Sequence, residues 1–595
     1  MKLSRIVLPL ALATAWSLPA AAQWPFADAT PKVEAAATVT PVRVFRLAGV
    51  VRERALPFDF LGDGSVVFPD LLRAIHEESE RGDVKALVFK LGGVALGMTH
   101  VEELASAFAD AQKKGKRVIV HLESGDLTSL GVASHADVVH LTPEGSLFVN
   151  GLQAEVAFYR DLLGTIGVEA DVEAVGQYKS AMEPFTRTSL SEPARANLDA
   201  LLDSIFASVL DGVGKPRKMT RGDVQQLVDK GLFTADQAKK AKLVDELSYW
   251  PEVLESTAKL GPASLAWPKP SAAPDLSSMF DLLKLLGGDE PAPTGPAKSK
   301  VAVLVAEGAI IEGRDPSDLF SEEAVIASED FLDALHDIEA DPNVKALVLR
   351  VNSPGGSALA SDVMWRELVR VGKARPLVVS MGDYAASGGY YLASAGRKIF
   401  AGRTTLTGSI GVFGGKLVYK GLLDKVGVQT TIIARGKHAG LFSGLARFTD
   451  SEREVFRQSM RHTYETFVNK VARGRNMSFD AIDKLAQGRV WTGEQAVEVG
   501  LVDRIGGLTD AIAEAAKLAK LGEDYEVVTW PKERSFLDLF DKGAASKRIA
   551  APRLDVRDAL PQPLAARARA LGRVVEGLLG KEQVLALMPF VLTWR

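Results

Sequence analysis

The chain has no cysteine and only 8 histidines in 595 residues. The first absence removes disulfides, thiolate nucleophiles and thiolate metal sites. The second leaves few imidazoles to serve as bases or ligands. Charge of one sign is missing too: 71 Lys and Arg against 75 Asp and Glu leave a net charge of −4, with no electrostatic footprint for nucleic acid. Beyond the first 22 residues no run of about 18 uncharged apolar residues occurs. The stretch "VLALMPFVLTW" from Val584 to Trp594 is too short to span a bilayer and reads as a core segment or a surface contact. The acidic residues show no spacing typical of a metal site or a carboxylate pair, so neither is assigned. What is present, 47% hydrophobic and 25% charged residues, is ordinary globular composition, and the length corresponds to about four domains.

The N-terminus carries Lys2 and Arg5, an apolar run from Ile6 to Leu18, then Pro19 and Ala20 to Ala22. This is the three-part pattern of an export signal, with Ala20-x-Ala22 as cleavage site. The alternative is a short anchor, since the roughly 17 residues from Ile6 to Ala22 lie at the short end of what a bilayer core needs. Residues 1–22 thus predict that the body of the protein lies outside the cytoplasm, in the periplasm at the outer face of the inner membrane.

An internal repeat organises the rest. "VKALVFK" at Val84 recurs as "VKALVLR" at Val344, an offset of 344 − 84 = 260. At the same offset "YRDLLGTIGV" from Tyr159 matches "YKGLLDKVGV" from Tyr419, and Ser191-Glu192 matches Ser451-Glu452. "LFTADQAKKAKLVDEL" from Leu232 matches "VWTGEQAVEVGLVDRI" from Val490 at 258, a shift of two. Prolines 262, 268, 270, 274, 291, 293 and 296 mark a linker. The expected organisation is a first repeat over 40–262, a linker over 263–298, a second repeat over 299–526 and an extension over 527–595. Within each repeat, buried-strand patterns such as "KALVLRV" and "PLVVSMG" alternate with helical ones such as "SEDFLDALHDIEAD" and "ASDVMWRELVRVG". That alternation predicts α/β domains with mostly parallel sheets. The segment "FTDSEREVFRQSMRHTYETFVNKVARG" is helical and fits an arm or lid as well as a packing element.

The copies differ where chemistry would be done. The second has "NSPGGSALAS" from Asn352 where the first has "GGVALGMTHV". Consecutive glycines after a strand let backbone amides approach an oxyanion, although Pro-Gly-Gly is also an ordinary turn. Ser409 of "LTGSIGVFGG" stands opposite Val149, while Lys179 of "AVGQYKSAMEPF" stands opposite Ala439. A hydroxyl is thus kept in one copy and an amine in the other, which predicts one site split across the duplication; the alternative is drift at two unrelated surface positions. A serine is a weak nucleophile until a base takes its proton, and a lysine desolvated enough to be neutral can be that base. Ser353, Ser357 and Ser387 are alternative nucleophiles in turn or helix-start settings where a serine is expected as a cap, and Ser387 also reads as a structural or substrate contact. His438 as base, and Lys416, Lys420 and Lys437, are weighed against ordinary solvated surface residues.

Taken together, "YKSAMEPF", "NSPGGS", "YAASGGYYLA" and "TLTGSIGVFG" resemble the long, duplicated form of signal peptide peptidase A, a serine protease family of the Clp protease/crotonase superfamily. The resemblance covers roughly residues 40–526. It implies tandem Clp/crotonase-like ββα domains with helical arms, Ser409 as nucleophile, Lys179 as general base, and an oxyanion hole from the amides of Ile410 and Gly355 or Gly356. It also implies cleaved signal peptides and other exported polypeptides as substrates, a membrane-associated homotetramer, and no cofactor. Two other functions compete: a non-catalytic exported peptide-binding scaffold with the same fold, and a crotonase-like acyl-CoA enzyme.

Overall fold

The computed structural model describes residues 41–55, 65–268, 298–316, 324–531 and 584–588. The signal-like residues 1–22 and most of the Pro-rich stretch lie outside them. In chain order the first repeat contributes β1 (Val42–Arg52), β2 (Val66–Val67), β3 (Ala86–Ala95), β4 (Arg117–Leu122), β5 (Val138–Leu141), β6 (Ser146–Phe148), β7 (Glu169–Val175), β8 (Leu232–Thr234), β9 (Glu246–Leu247) and β10 (Ala263–Trp267). The second contributes β11 (Lys300–Glu307), β12 (Ala309–Ile311), β13 (Val325–Ala327), β14 (Val344–Ser353), β15 (Gly355–Ser357), β16 (Leu377–Ala386), β17 (Lys398–Ala401), β18 (Leu406–Gly408), β19 (Val412–Val418), β20 (Val490–Thr492), β21 (Arg504–Ile505) and β22 (Glu526–Trp530). A last strand, β23 (Val584–Leu587), follows near the C-terminus.

The first sheet has the order β10-β1-β3-β4-β5-β9, all parallel, and the second β20-β18-β16-β14-β11-β22, parallel except for the β18–β20 pair. Strands such as β14, buried along nearly their whole length, need helices on both faces, so their apolar runs do not alternate. The helices Ser328–Ala340 and Ala358–Gly372 and the strands β14 and β16 stand where the sequence pattern put them. The α/β class and the duplicated arrangement of two largely parallel sheets expected from the sequence are the architecture observed. Among the described residues no helix is long and apolar enough to cross a membrane.

Three details of the expected organisation change. Strand β10 lies inside the stretch read as linker because it pairs with β1, and β22 runs past 526 because it pairs with β11, so both repeats extend four or five residues further. The long helices Glu192–Arg217 and Asp450–Arg475 are capped by Ser191 and Thr449, 258 apart, so the counterpart of Ser191 is Thr449 and not Ser451. Gly176 and Gly436, both at positive φ, keep the 260 offset, which places the two-residue shift between Gly176 and Ser191. Finally, Asp450–Arg475 buries Phe456, Met460, Tyr464, Phe467, Val468 and Val471 in the second core, and this resolves it as a packing element.

The repeats are joined in two ways. Strand β7 of the first pairs antiparallel with β19 of the second over seven residues, from Val175↔Val412 to Glu169↔Val418. Asp171 on β7 accepts from the Phe448 amide (2.7 Å) and from Arg453 (2.6 Å), and Glu173 pairs with Arg457 (2.8 Å), fixing the arm to the long helix. Beneath, the fully buried Arg350 of β14 donates to both carboxylate oxygens of Glu53 (3.0 and 2.7 Å) and pairs with Glu103 (2.8 Å). The Glu53 amide donates to Glu307 (3.2 Å). Burial would raise Glu53, but the Arg350 charge and the His100 hydrogen bond bring it down to about 2; Glu307, buried and facing the Glu53 carboxylate, is pushed up to about 7.

Candidate active site

Two loops, one from each repeat, meet on a short second-repeat segment. After β18 the chain turns at Gly408 (φ 76°), and Ser409 itself sits at φ 49°, a region uncommon for a residue with a side chain. The Ser409 amide donates to the Arg489 carbonyl (2.7 Å), and the Ile410 carbonyl accepts from the Gly488 amide (2.8 Å). From the other side, β7 ends at Val175 and turns at Gly176; the Tyr178 amide donates to the Gln487 carbonyl (2.8 Å). A Cβ at Gly488 would lie 2.5 Å from the Lys179 amide nitrogen, so only glycine lets the lysine loop dock this closely. Residues 487–489 therefore hold both loops in one frame.

The result is that Lys179 Nζ lies 3.0 Å from Ser409 Oγ, 3.0 Å from the Ser409 carbonyl oxygen and 2.8 Å from Ser387 Oγ. Lys179 is 4% exposed, and Ser409 and Ser387 are fully buried. Burial alone holds the Lys179 ammonium well below the usual lysine range, because nothing acidic beside it offsets the loss of water. A buried amine at hydrogen-bonding distance from a buried hydroxyl is an arrangement able to take up that hydroxyl's proton.

The other residues singled out in the sequence are elsewhere or otherwise engaged. Ser353 Oγ accepts from the Gly355 amide (3.1 Å); Ser357 caps the helix Ala358–Gly372 and donates to Glu312 (3.0 Å). His438 meets Ser451 (2.8 Å), Lys420 pairs with Asp424 (2.8 Å), Lys437 is exposed, and Lys416 sits over the Phe448 ring. Gly355 and Gly356 form β15, where a Cβ on Gly356 would meet the Ile310 carbonyl at 2.0 Å. Ser387, at φ 54° before the helix Gly388–Ala393, is the one member whose tie to Lys179 sequence reasoning missed. Its counterpart at the 260 offset is Leu127, so the repeat register carries a hydroxyl-for-leucine difference there as well, which was the available signal.

Similarity to known proteins defines the class, a serine peptidase. Residues 110–263 and 370–522 each match the model of Peptidase family S49, and the two matches start 260 residues apart, the offset of the repeat. The chain is 32% identical over 518 residues to Protease 4 of Salmonella typhi, covering 84% of this chain and 80% of that protein. It is 31% identical over 476 residues to Protease 4 of Haemophilus influenzae, covering 77% and 74%. Against the chloroplastic serine protease SPPA of Arabidopsis thaliana it is 32% identical over 435 residues, 72% of this chain and 62% of that relative. The chain belongs to peptidase family S49.

Proposed function

We propose that the chain is an endopeptidase acting through a Ser409–Lys179 dyad. The observation that carries this is the 3.0 Å approach of a buried lysine amine, with no acidic partner, to the Ser409 hydroxyl across the two repeats. Neutral Lys179 takes the proton as Oγ attacks the scissile carbonyl, then gives it to the leaving amine, and acts as base again when water cleaves the acyl-enzyme. Ser387 positions the amine. The oxyanion rests on the Ile410 amide and one glycine amide of β15. Directly opposed residues of an antiparallel ladder alternate between bonded and non-bonded pairs. The Met588 amide donates to the Pro354 carbonyl, so the next bonded residue on β15 is Gly356, committed to an extended partner. The Gly355 amide stands outside that ladder, 3.1 Å from Ser353 Oγ, and completes the hole only by exchanging that hydroxyl for the oxyanion.

The resemblance to signal peptide peptidase A, together with the export pattern of residues 1–22, points to released signal peptides and other exported polypeptides as substrates, at the outer face of the inner membrane. The chain also has the means to assemble with itself. At the 260 offset, β7 and β19 correspond to 429–435 and 152–158, which are irregular and not paired with each other. Residues 152–158 alternate between half-buried and exposed, and Ile432 and Ile433 are 60% and 84% exposed. Repeating the β7–β19 contact between copies gives a head-to-tail homo-oligomer, a ring when the rotation closes, and the resemblance implies a tetramer.

The test is cleavage of a fluorogenic apolar peptide by the wild type, Ser409→Ala and Lys179→Ala. Both variants are expected to lose on the order of 10^4-fold in kcat/KM while staying folded. Binding of peptides by a wild type that cleaves none would favour the scaffold reading.

A further inference from the structure

Residues 487–489 hold the serine turn and the lysine loop by main-chain bonds, and one residue of that segment touches both. The Arg489 carbonyl accepts from the Ser409 amide (2.7 Å), and the Arg489 guanidinium lies over the Trp491 ring at 4.2 Å and over the Tyr178 ring at 5.5 Å. Both rings are within cation–π range. Tyr178 is the residue before Lys179, and its amide donates to the Gln487 carbonyl (2.8 Å). Trp491 is fixed in turn: its indole Nε1 donates to the Leu485 carbonyl (3.1 Å), and its ring lies where a Cβ on Gly408 would be 2.7 Å away. Among the described residues the guanidinium makes no ion pair, and its buried Nε has no hydrogen-bond partner.

The first repeat separates what belongs to the fold from what belongs to the site. At the 258 offset Gly231 stands for Arg489 and Phe233 for Trp491. The Gly231 carbonyl accepts from the Val149 amide (2.6 Å), and a cation again covers the ring, Lys230 over Phe233 at 4.4 Å. The carbonyl bond and the covered ring are therefore properties of the duplicated framework. A side chain that runs from the bonded residue to a second ring, supplied by the other repeat, occurs only beside the dyad. The chemistry of this tie fits its place. Farther along the arm, β7 is fixed through carboxylates, Asp171 to Arg453 (2.6 Å) and Glu173 to Arg457 (2.8 Å). Lys179 Nζ, by contrast, faces the Ser387 and Ser409 hydroxyls and the Ser409 carbonyl, with nothing acidic beside it. A carboxylate at position 178 would sit one residue from the amine and hold its proton on. A guanidinium, weakly hydrated and able to stack on aromatic faces, fastens the loop without bringing an acid to the base.

We propose that Arg489 is a positioning residue for the reactive centre: its main chain fixes the Ser409 turn, its guanidinium fixes the loop that carries Lys179, and one residue thereby sets the approach of hydroxyl and amine across the two repeats. This rests on the reading of Ser409 and Lys179 as nucleophile and base, and it adds what holds them in register. Loosening the stack lets the Lys179 loop move off residues 487–489 and admits water to the amine, which restores its affinity for a proton. Peptide binding does not pass through Arg489 and is left as it was.

The experiment measures cleavage of a fluorogenic apolar peptide by the full chain and by Arg489→Gln and Tyr178→Ala, one variant on each side of the stack. Each is expected to lower kcat about 10- to 100-fold with KM within about twofold, and to move the acid limb of the kcat/KM profile to higher pH. Combined, the two should cost little more than either alone, since both remove one contact. Tyr178→Phe, which keeps the ring, should recover most of what Tyr178→Ala loses. A second arm involves no turnover: acetylation by acetic anhydride across a range of pH, read by mass spectrometry, should show Lys179 reacting at lower pH than the exposed Lys437 in the wild type and shifted toward Lys437 in both variants. A wild type that cleaves nothing would sink the dyad reading, and the acetylation profile would still decide whether Arg489 holds the loop. Losses that add in the double variant, a rise in KM with kcat unchanged, or an acetylation profile that stays in place overturns the proposal.

Discussion

The two repeats share nearly every strand of their main sheets at an offset near 260 and almost none of their reactive side chains. Where the second repeat has Ser409 at a strained φ, the first has Val149, which is buried in the first core. Both residues make the same backbone bond, Ser409 to the Arg489 carbonyl and Val149 to the Gly231 carbonyl (2.7 and 2.6 Å). The loop geometry is therefore a property of the fold, and the chemistry is a matter of which side chain is hung on it. Where the first repeat has Lys179 on an arm ordered by β19 and the long helix, the second has Ala439 in an exposed loop. What buries the lysine, and so lowers its affinity for a proton, is supplied by the other repeat.

The sharpest way to break this comparison is Lys179→Met against Lys437→Met, the lysine of the equivalent second-repeat loop. The first should lower kcat on the order of 10^4-fold and the second should leave it within about twofold. An essential Lys437 would mean the wrong arm has been credited. Reconstructing the missing half through Val149→Ser with Ala439→Lys should add no second reactive centre, so that a serine-reactive phosphonate still labels one site per chain.

A smaller effect is expected at Ser387, a positioning residue. Ser387→Ala should lower kcat roughly 10- to 100-fold and move the acid limb of the kcat/KM profile, and Ser387→Thr should recover much of the loss. Its mirror, Leu127→Ala, should leave the profile in place and cost about 2–5 kcal/mol of stability through the cavity it opens. The profile carries its own prediction. Lys179 is active when neutral and its affinity for a proton is lowered by burial, so activity should rise with pH through that lowered value and not wait for the ordinary lysine range.

The smallest effect concerns the buried charges between the repeats. Glu307 is raised to about 7 in the folded protein, above its ordinary 4.5. Its ionisation costs nothing below the unfolded value, and the cost grows between 4.5 and 7 and is complete above that. Glu307→Gln should accordingly raise the melting temperature by a few degrees at pH 8 and by little at pH 5. Equal shifts at both would show that Glu307 is not held protonated between the repeats.

Much of this was legible in the residues themselves. The repeat offset located Ser409 and Lys179 because a duplication keeps backbone register while side chains diverge, and the strands β14 and β16 were plain from their uninterrupted apolar runs. The partner of β7 was not, since pairing between a strand of one repeat and a strand of the other leaves no periodicity in either. Nor was the two-residue shift between Gly176 and Ser191, which the chance recurrence of Ser-Glu at 191 and 451 concealed until the helix caps showed it. "VLALM" read as a core segment or a surface contact. The burial of Leu585 and Met588 follows from composition, but the strand's seat between β15 and β19 depends on two edges that only the folded chain brings together.

Lys179 and Ser409 are 230 residues apart along one backbone, joined through seven ladder pairs between β7 and β19. Had the same two loops met only between separate chains, the number of competent centres would rise and fall with protein concentration. Carried on one chain, the two loops meet at any dilution, and every copy supplies both of them in equal number.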